Sequence, residues 1–162
     1  MGMAVAFKEW FVVCEALGKG MQDVIIRKGG IHEGRAGFEF THDSFYLFPT
    51  LFHKQLSQVK EDAHGWMAQT QKKLWDLGEI VPVKYRCTVV RSELLTDWEA
   101  VLELSDRHVY TEALVRERFD WEGKGMSAGC INVAHVKTEV LAEPLEVPYS
   151  KSHGGCRSWI EV

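Results

Sequence analysis

Apolar residues at Phe7, Trp10, Phe11, Cys14 and Leu17 recur at three- and four-residue steps, the period of a helix with one buried face. Gly18 is a natural stop for it. The β-branched pair in Phe11-Val12-Val13-Cys14 argues instead for a strand, but the helical period is the stronger signal. Gly18-Lys19-Gly20 turns the chain, and Val24-Ile25-Ile26 reads as a short buried strand with Arg27-Lys28 leaving its end. Gly29-Gly30 opens a loop running to about Ser44. Phe45 to Phe48 is a second strand, ended by Pro49.

From Phe52 to Leu77 the pattern predicts one long amphipathic helix. Leu56, Val59, Ala63, Trp66, Met67, Thr70, Leu74 and Leu77 fall on one face, and Lys60, Glu61, Gln69, Lys72 and Lys73 on the other. Gly65 interrupts it and marks a kink or a close backbone contact, and Gly78 ends it. Val81, Val83, Tyr85, Cys87 and Val89 then alternate with polar residues, the period of a half-buried strand. Trp98 to Leu104 reads as a short strand. Ser105 caps a helix to Arg118 with Val109, Ala113 and Leu114 inward, and Asp120 to Gly125 is a loop containing Trp121. Cys130, Val133, His135 and Val136 lie on a strand, Pro144 and Pro148 break an extended stretch, and Cys156 to Ile160 closes the chain as a last strand. This order, without βαβ alternation or repeat, fits a single α+β domain over 1–162. Its sheet is small, mixed and barrel-like, with one long helix and two shorter ones.

Composition narrows the class. Nineteen Lys and Arg against 23 Asp and Glu give a net charge of −4, which argues against a generally basic duplex-DNA binder but not against a local basic patch. The first ten residues carry an early acid and no long apolar core, so no signal peptide is expected, and Ala6 fails a myristoylation signal. No window approaches a membrane span, and a cytoplasmic location is expected. Cys14, Cys87, Cys130 and Cys156 lack paired spacing, and separate reduced thiols are expected.

Candidate chemistry concentrates between Arg27 and His53. Two cations, a Gly-Gly turn, His42 and His53, and Phe48-Pro49-Thr50 lie within this stretch. His32, His42, His53, Glu33 and Asp43 offer imidazoles and carboxylates but no HExxH or His-x-His spacing. No metal site is assigned and no cofactor is expected. Acids for a two-metal nuclease are present without the usual acid-x-Lys order. Cys156 beside His153 is a nucleophile candidate for which a plain thiol is the simpler account. Arg27-Lys28-Gly29-Gly30 and Gly123-Lys124-Gly125 suit an anion without full P-loop spacing. Six Trp, eight Phe and four Tyr are many for this length. Trp10 and Trp66 are expected in the core on their helical faces. Trp121, in a polar Gly-rich loop, is harder to bury, as are Phe38 and Phe45 near His42. An aromatic beside cations is what single-strand or flipped-base binding uses.

Two resemblances add to this. Phe7-Lys8-Glu9-Trp10, Glu15-Ala16-Leu17, Arg27-Lys28-Gly29-Gly30-Ile31, Leu47-Phe48-Pro49-Thr50 with His53, and the closing Gly155-Cys156-Arg157-Ser158-Trp159-Ile160-Glu161 resemble the bacterial domain-of-unknown-function family eighteen-oh-two over nearly the whole chain. That family has no assigned activity. The resemblance implies a link to Mrr-type restriction endonuclease domains, hence to restriction or modification systems. Gly20-x-Gln22-x-x-Ile25-x-Arg27 also has the spacing of the Gly-x-Lys-x-x-Glu-x-Arg signature of ASCH domains. Only Gly20 and Arg27 match, which puts ASCH-type hydrolysis in doubt. The likeness implies a PUA-like barrel, a group that includes readers of RNA and of modified DNA bases.

The resulting expectation is a non-catalytic domain binding single-stranded nucleic acid or a modified nucleobase. Its site is expected at Arg27, Lys28, Gly29, Gly30, Glu33, His42, Thr50, His53 and Trp121. Arg27 and Lys28 would hold phosphate, and His42 and His53 would meet a base edge or order the loop. One alternative is a metal-dependent nuclease or nucleotide hydrolase using His42, His53 and Glu33. Another is an interaction module whose Trp121 loop or long helix docks a partner nuclease. Whether the protein is an enzyme, and its oligomeric state, stay open.

Overall fold

The computed structural model describes residues 4–29, 40–51, 54–67, 74–155 and 157–162. Its first element is a strand, β1 (Val5–Trp10), and only then a helix, α1 (Phe11–Gly18). The helix expected from Phe7 therefore begins four residues late. Ala6, Phe7, Lys8 and Glu9 are all buried, because β1 has neighbours on both edges and packed residues on both faces. Such a strand does not alternate, and its apolar residues blend into the helical spacing that follows. α1 buries Val12 through Leu17. Its buried Glu15 accepts from Lys84 Nζ at 3.0 Å and from Tyr85 O–H at 2.7 Å. The Tyr85 ring lies so close to Gly18 that a Cβ there would sit 2.2 Å from it.

β2 (Val24–Lys28) and β3 (Ser44–Thr50) follow. Pro49 does not end β3. It pairs with Glu9 beyond Tyr46, where pairing with the next strand has stopped, an edge-like position that proline tolerates. The long helix expected over 52–77 is absent as a single element. Its described residues form turns of 3-10 helix at Gln55–Gln58 and Glu61–Ala63 and one short helix, α2 (His64–Met67), and Leu74 to Gly78 is not helical. Cross-chain pairing wins there. Val59 bridges Tyr110, the N–H of Lys60 donates to Val109 O at 2.7 Å, and the N–H of Thr111 donates to Gln58 O at 3.0 Å. Gly65 has open space around it rather than a close contact. The side chains of Trp66 and Met67, and Thr70, lie outside the described residues.

β4 (Ile80–Leu95) is followed by α3 (Trp98–Leu102), a helix where a strand was expected. Asp97 caps it, accepting from the N–H of Glu99 at 3.3 Å. α4 (Glu112–Phe119) starts at a Thr111 cap rather than at Ser105, and it buries Leu114, Val115 and Phe119. Val109 lies on the extended link before it, and Ala113 is exposed. β5 (Ile131–Pro148) runs through Pro144, because a register shift between Val83 and Tyr85 loosens the ladder there. β6 (Trp159–Glu161) ends the fold.

The six strands form one mixed sheet in the order β2-β5-β4-β3-β1-β6. β1 and β3 are parallel and the other neighbours antiparallel. The larger core lies between the sheet and α1, α3 and α4, and a smaller one of Ala6, Phe48, Val81, Val83, Val147 and Ile160 covers the other face. The barrel-like sheet is curled but not closed. Across the seam, Arg27 on β2 donates from Nη2 to Lys8 O on β1 at 2.6 Å. No helix among the described residues is long and apolar enough to cross a membrane.

Candidate nucleic-acid interface

A cleft of about 700 Å³ opens beside this seam. Strand alternation turns Lys8 and Trp10 of β1 to the same side. β2 contributes Arg27 and Lys28, the end of β3 contributes Thr50, and Leu114, Glu117, Arg118 and Trp121 come from α4 and the loop after it. Lys54, Gln58, Gly155, Arg157 and Ser158 complete the wall. Among the described residues, six basic side chains thus face one acid, Glu117, on a molecule whose net charge is −4.

The cations divide into two kinds. Lys8 is buried and donates to three successive carbonyls, of His153 at 3.0 Å, Gly154 at 3.3 Å and Gly155 at 2.9 Å. Arg27 packs 4.5 Å over the Phe7 ring and sits 3.9 Å from buried Glu9, besides its bond to Lys8 O. Arg118 donates to Ile26 O at 2.7 Å and lies over the Trp10 and Tyr110 rings. These three hold the cleft in shape. Lys28, Lys54 and Arg157 have no ion-pair partner among the described residues, and Lys28 Nζ rests 3.8 Å from the centre of the Trp121 ring.

Glu9 anchors the floor. Its carboxylate accepts from the N–H of Trp10 at 2.8 Å and from Tyr110 O–H at 3.4 Å, and its carbonyl accepts from Thr50 Oγ1 at 3.2 Å. Burial, with Glu9 beside it, pushes the Tyr110 hydroxyl up to about 12. Trp121 is half exposed at the end of α4. Its loop is closed by the N–H of Gly125 donating to Asp120 at 2.9 Å, and Gly123 and Gly125 take positive φ.

Of the residues singled out from sequence, the cleft brings together Arg27, Lys28, Thr50 and Trp121. Gly29 lies just outside it, packed so tightly on Cys130 that a Cβ would meet the thiol. His42 lines a neighbouring cleft of about 470 Å³, edge-on to Trp159 at 4.8 Å, together with His153 and Arg157. Gly30, Glu33 and His53 lie outside the described residues, as do His32, Phe38 and Cys156. Among the described residues no three His, Cys, Asp or Glu side chains gather as metal ligands. Phe45 is buried in the core. Cys14, Cys87 and Cys130 are buried, and for two of them burial raises the thiol pKa, that of Cys14 upward and that of Cys87 to about 12. These are poor nucleophiles.

Sequence reasoning missed Lys8, Trp10, Lys54, Arg118 and Arg157. Trp10 was expected in the core of a helix. It instead ends β1, half-buried, in an edge-type contact with Tyr110 at 5.7 Å and with Arg118 over its ring. Leu114, Glu117 and Arg118 did carry a signal, since steps of three and four place them on one side of α4. Gln22 and Ile25, standing where the ASCH signature has Lys and Glu, are buried. Gln22 accepts from the N–H of Val109 at 3.1 Å and donates to Val24 O at 2.8 Å.

The fold is similar to that of the ASCH protein of Zymomonas mobilis. A crystal structure of that protein superposes with a TM-score of 0.54 at 9% identity, over 98% of this chain and 86% of that one. A mutant form of the same protein gives 0.53 at 9% identity, over 98% and 88%. These likenesses establish an ASCH-like, PUA-like fold. No curated protein matches the chain. Residues 6–162, nearly the full sequence, match one family throughout, and the chain belongs to it: the domain of unknown function DUF1802.

Proposed function

We propose that the cleft beside the β1–β2 seam binds single-stranded nucleic acid or an unstacked, modified nucleobase, without catalysis of its own. The observation that carries this reading is the pairing, in one concave site, of aromatic rings with cations that have no ion-pair partner among the described residues. Lys28, Lys54 and Arg157 supply phosphate contacts, and Trp121 and Trp10 supply ring surface. Phosphate contacts give affinity and register, and stacking accepts any base. Arg27 and Arg118 are already tied to backbone carbonyls, so their role is to fix the walls. The ASCH-like fold supports the reading at the level of architecture. The link to a nuclease of a restriction or modification system rests on the family resemblance alone and belongs to the same proposal.

The test is a fluorescence titration with single-stranded, duplex and base-modified oligonucleotides at several salt concentrations. We expect single strands to bind best, with log K falling on log salt by about 0.7 per phosphate contact, hence a slope near −2 for three cations. Affinity that is absent, or flat with salt, rejects the proposal.

A further inference from the structure

The second cleft, which holds His42, shares one lining side chain with the first. Arg157 lines both clefts, is exposed, and has no ion-pair partner among the described residues. The floors are also shared. Arg27 of the first cleft lies 4.5 Å over one side of the Phe7 ring, and Trp159 of the second meets the same ring edge-on at 4.9 Å. The clefts are therefore neighbours across one phenylalanine and one arginine.

The ridge between them is built rather than loose. Lys8 holds the carbonyls of His153, Gly154 and Gly155 through one ammonium group. The preceding turn is locked by the N–H of Ser150 donating to His153 Nδ1 at 3.1 Å. Gly155 takes φ +78, which a side chain would resist. The second cleft repeats the chemistry of the first on a smaller scale. It has an aromatic pair, His42 on Trp159 at 4.8 Å, beside a cation, with Glu161 as the one acid among the described lining residues. The His153 imidazole, its Nδ1 accepting from Ser150, adds a polar edge there, and burial lowers it from its ordinary value.

We infer that a bound single strand crosses Arg157 and occupies both clefts, with one nucleotide on Trp121 and Trp10 and the next on Trp159 and His42. The Arg157 guanidinium then holds the phosphate that joins them, as a planar cation with several donors does well. This inference rests on the reading of the first cleft as a nucleotide site, and it adds a minimum footprint of two nucleotides and a role for His42.

The experiment is a length series on the intact protein, using thymidine 5′-monophosphate and oligothymidylates of two, three and four nucleotides. Affinity is expected to rise about tenfold or more between the mononucleotide and the trinucleotide, the size of one added stacking contact. His42→Ala and Trp159→Leu are each expected to remove that rise and leave mononucleotide affinity within about twofold. Trp159 also packs on Phe7 and Phe45, so His42→Ala at a half-buried position guards against a folding failure. Equal affinity along the series, or a rise that survives His42→Ala, overturns the two-cleft track while leaving the first cleft as a binding site. Failure of every probe to bind overturns both.

Discussion

Lys28 already covers the face of Trp121, with its ammonium 3.8 Å from the ring centre. A base that stacks on Trp121 must displace that cation, which then becomes available to the base's own phosphate. The two residues are therefore expected to respond differently to substitution. Trp121→Leu removes a stacking surface and should weaken oligonucleotide binding by about 5- to 150-fold with little change in salt slope. Lys28→Met removes one phosphate contact and should lower the salt slope by about 0.7. Titrations at two salt concentrations separate these outcomes, and identical slopes for Lys28→Met and wild type would argue against a phosphate contact. Residue type made Arg27, Lys28, Thr50 and Trp121 legible as candidates, because cations, a hydroxyl and an aromatic outside a clear core pattern stand out. Lys8 did not, since it looks like any polar strand residue. Its three carbonyl partners lie about 145 positions away, and no local pattern reports contacts at that separation.

At the scale of elements, strands with clear alternation were legible and the helices much less so. β4 follows its period-two pattern from Val81 to Cys87 in burial. The stripe from Leu56 to Leu77 is equally regular but misleading, because part of its segment is used for pairing with the Val109–Thr111 link. Gln55 shows why the chain turns there rather than continuing as a helix. Fully buried, it accepts from the N–H of Val12 at 3.3 Å and donates to Thr50 O at 2.7 Å. One amide thus serves the unsatisfied first turn of α1 and the end of β3 together. Gln55→Leu keeps the volume and orphans both groups, and is expected to cost roughly 2–4 kcal/mol. A urea titration reads this directly. A loss below about 1 kcal/mol would mean that water reaches both groups in the variant.

For the molecule as a whole, the α+β class and the mixed, barrel-like sheet were legible because strand patterns outnumber helical ones and no βαβ alternation appears. Which strands adjoin was not, since β1 pairs with β3 and β6 across long separations. The same long-range packing sets the expected acid limit of the fold. His108 sits on the extended link that carries Tyr110 and is almost fully buried. Burial first, then Lys60 and Arg118, push its imidazole down from 6.5 to about 4. The folded state therefore keeps His108 neutral at pH values where the unfolded chain binds a proton. Its contribution to stability is complete above about pH 6.5 and is lost as pH falls from there towards 4, about 3 kcal/mol in all at 1.36 per unit. The depressed His153 works in the same direction. Urea midpoints measured from pH 7.5 to 4 should therefore decline most steeply below 6.5, and His108→Gln, which cannot titrate, should flatten that decline. Parallel curves for the two proteins would place the acid sensitivity elsewhere, with His153→Gln the next substitution to compare.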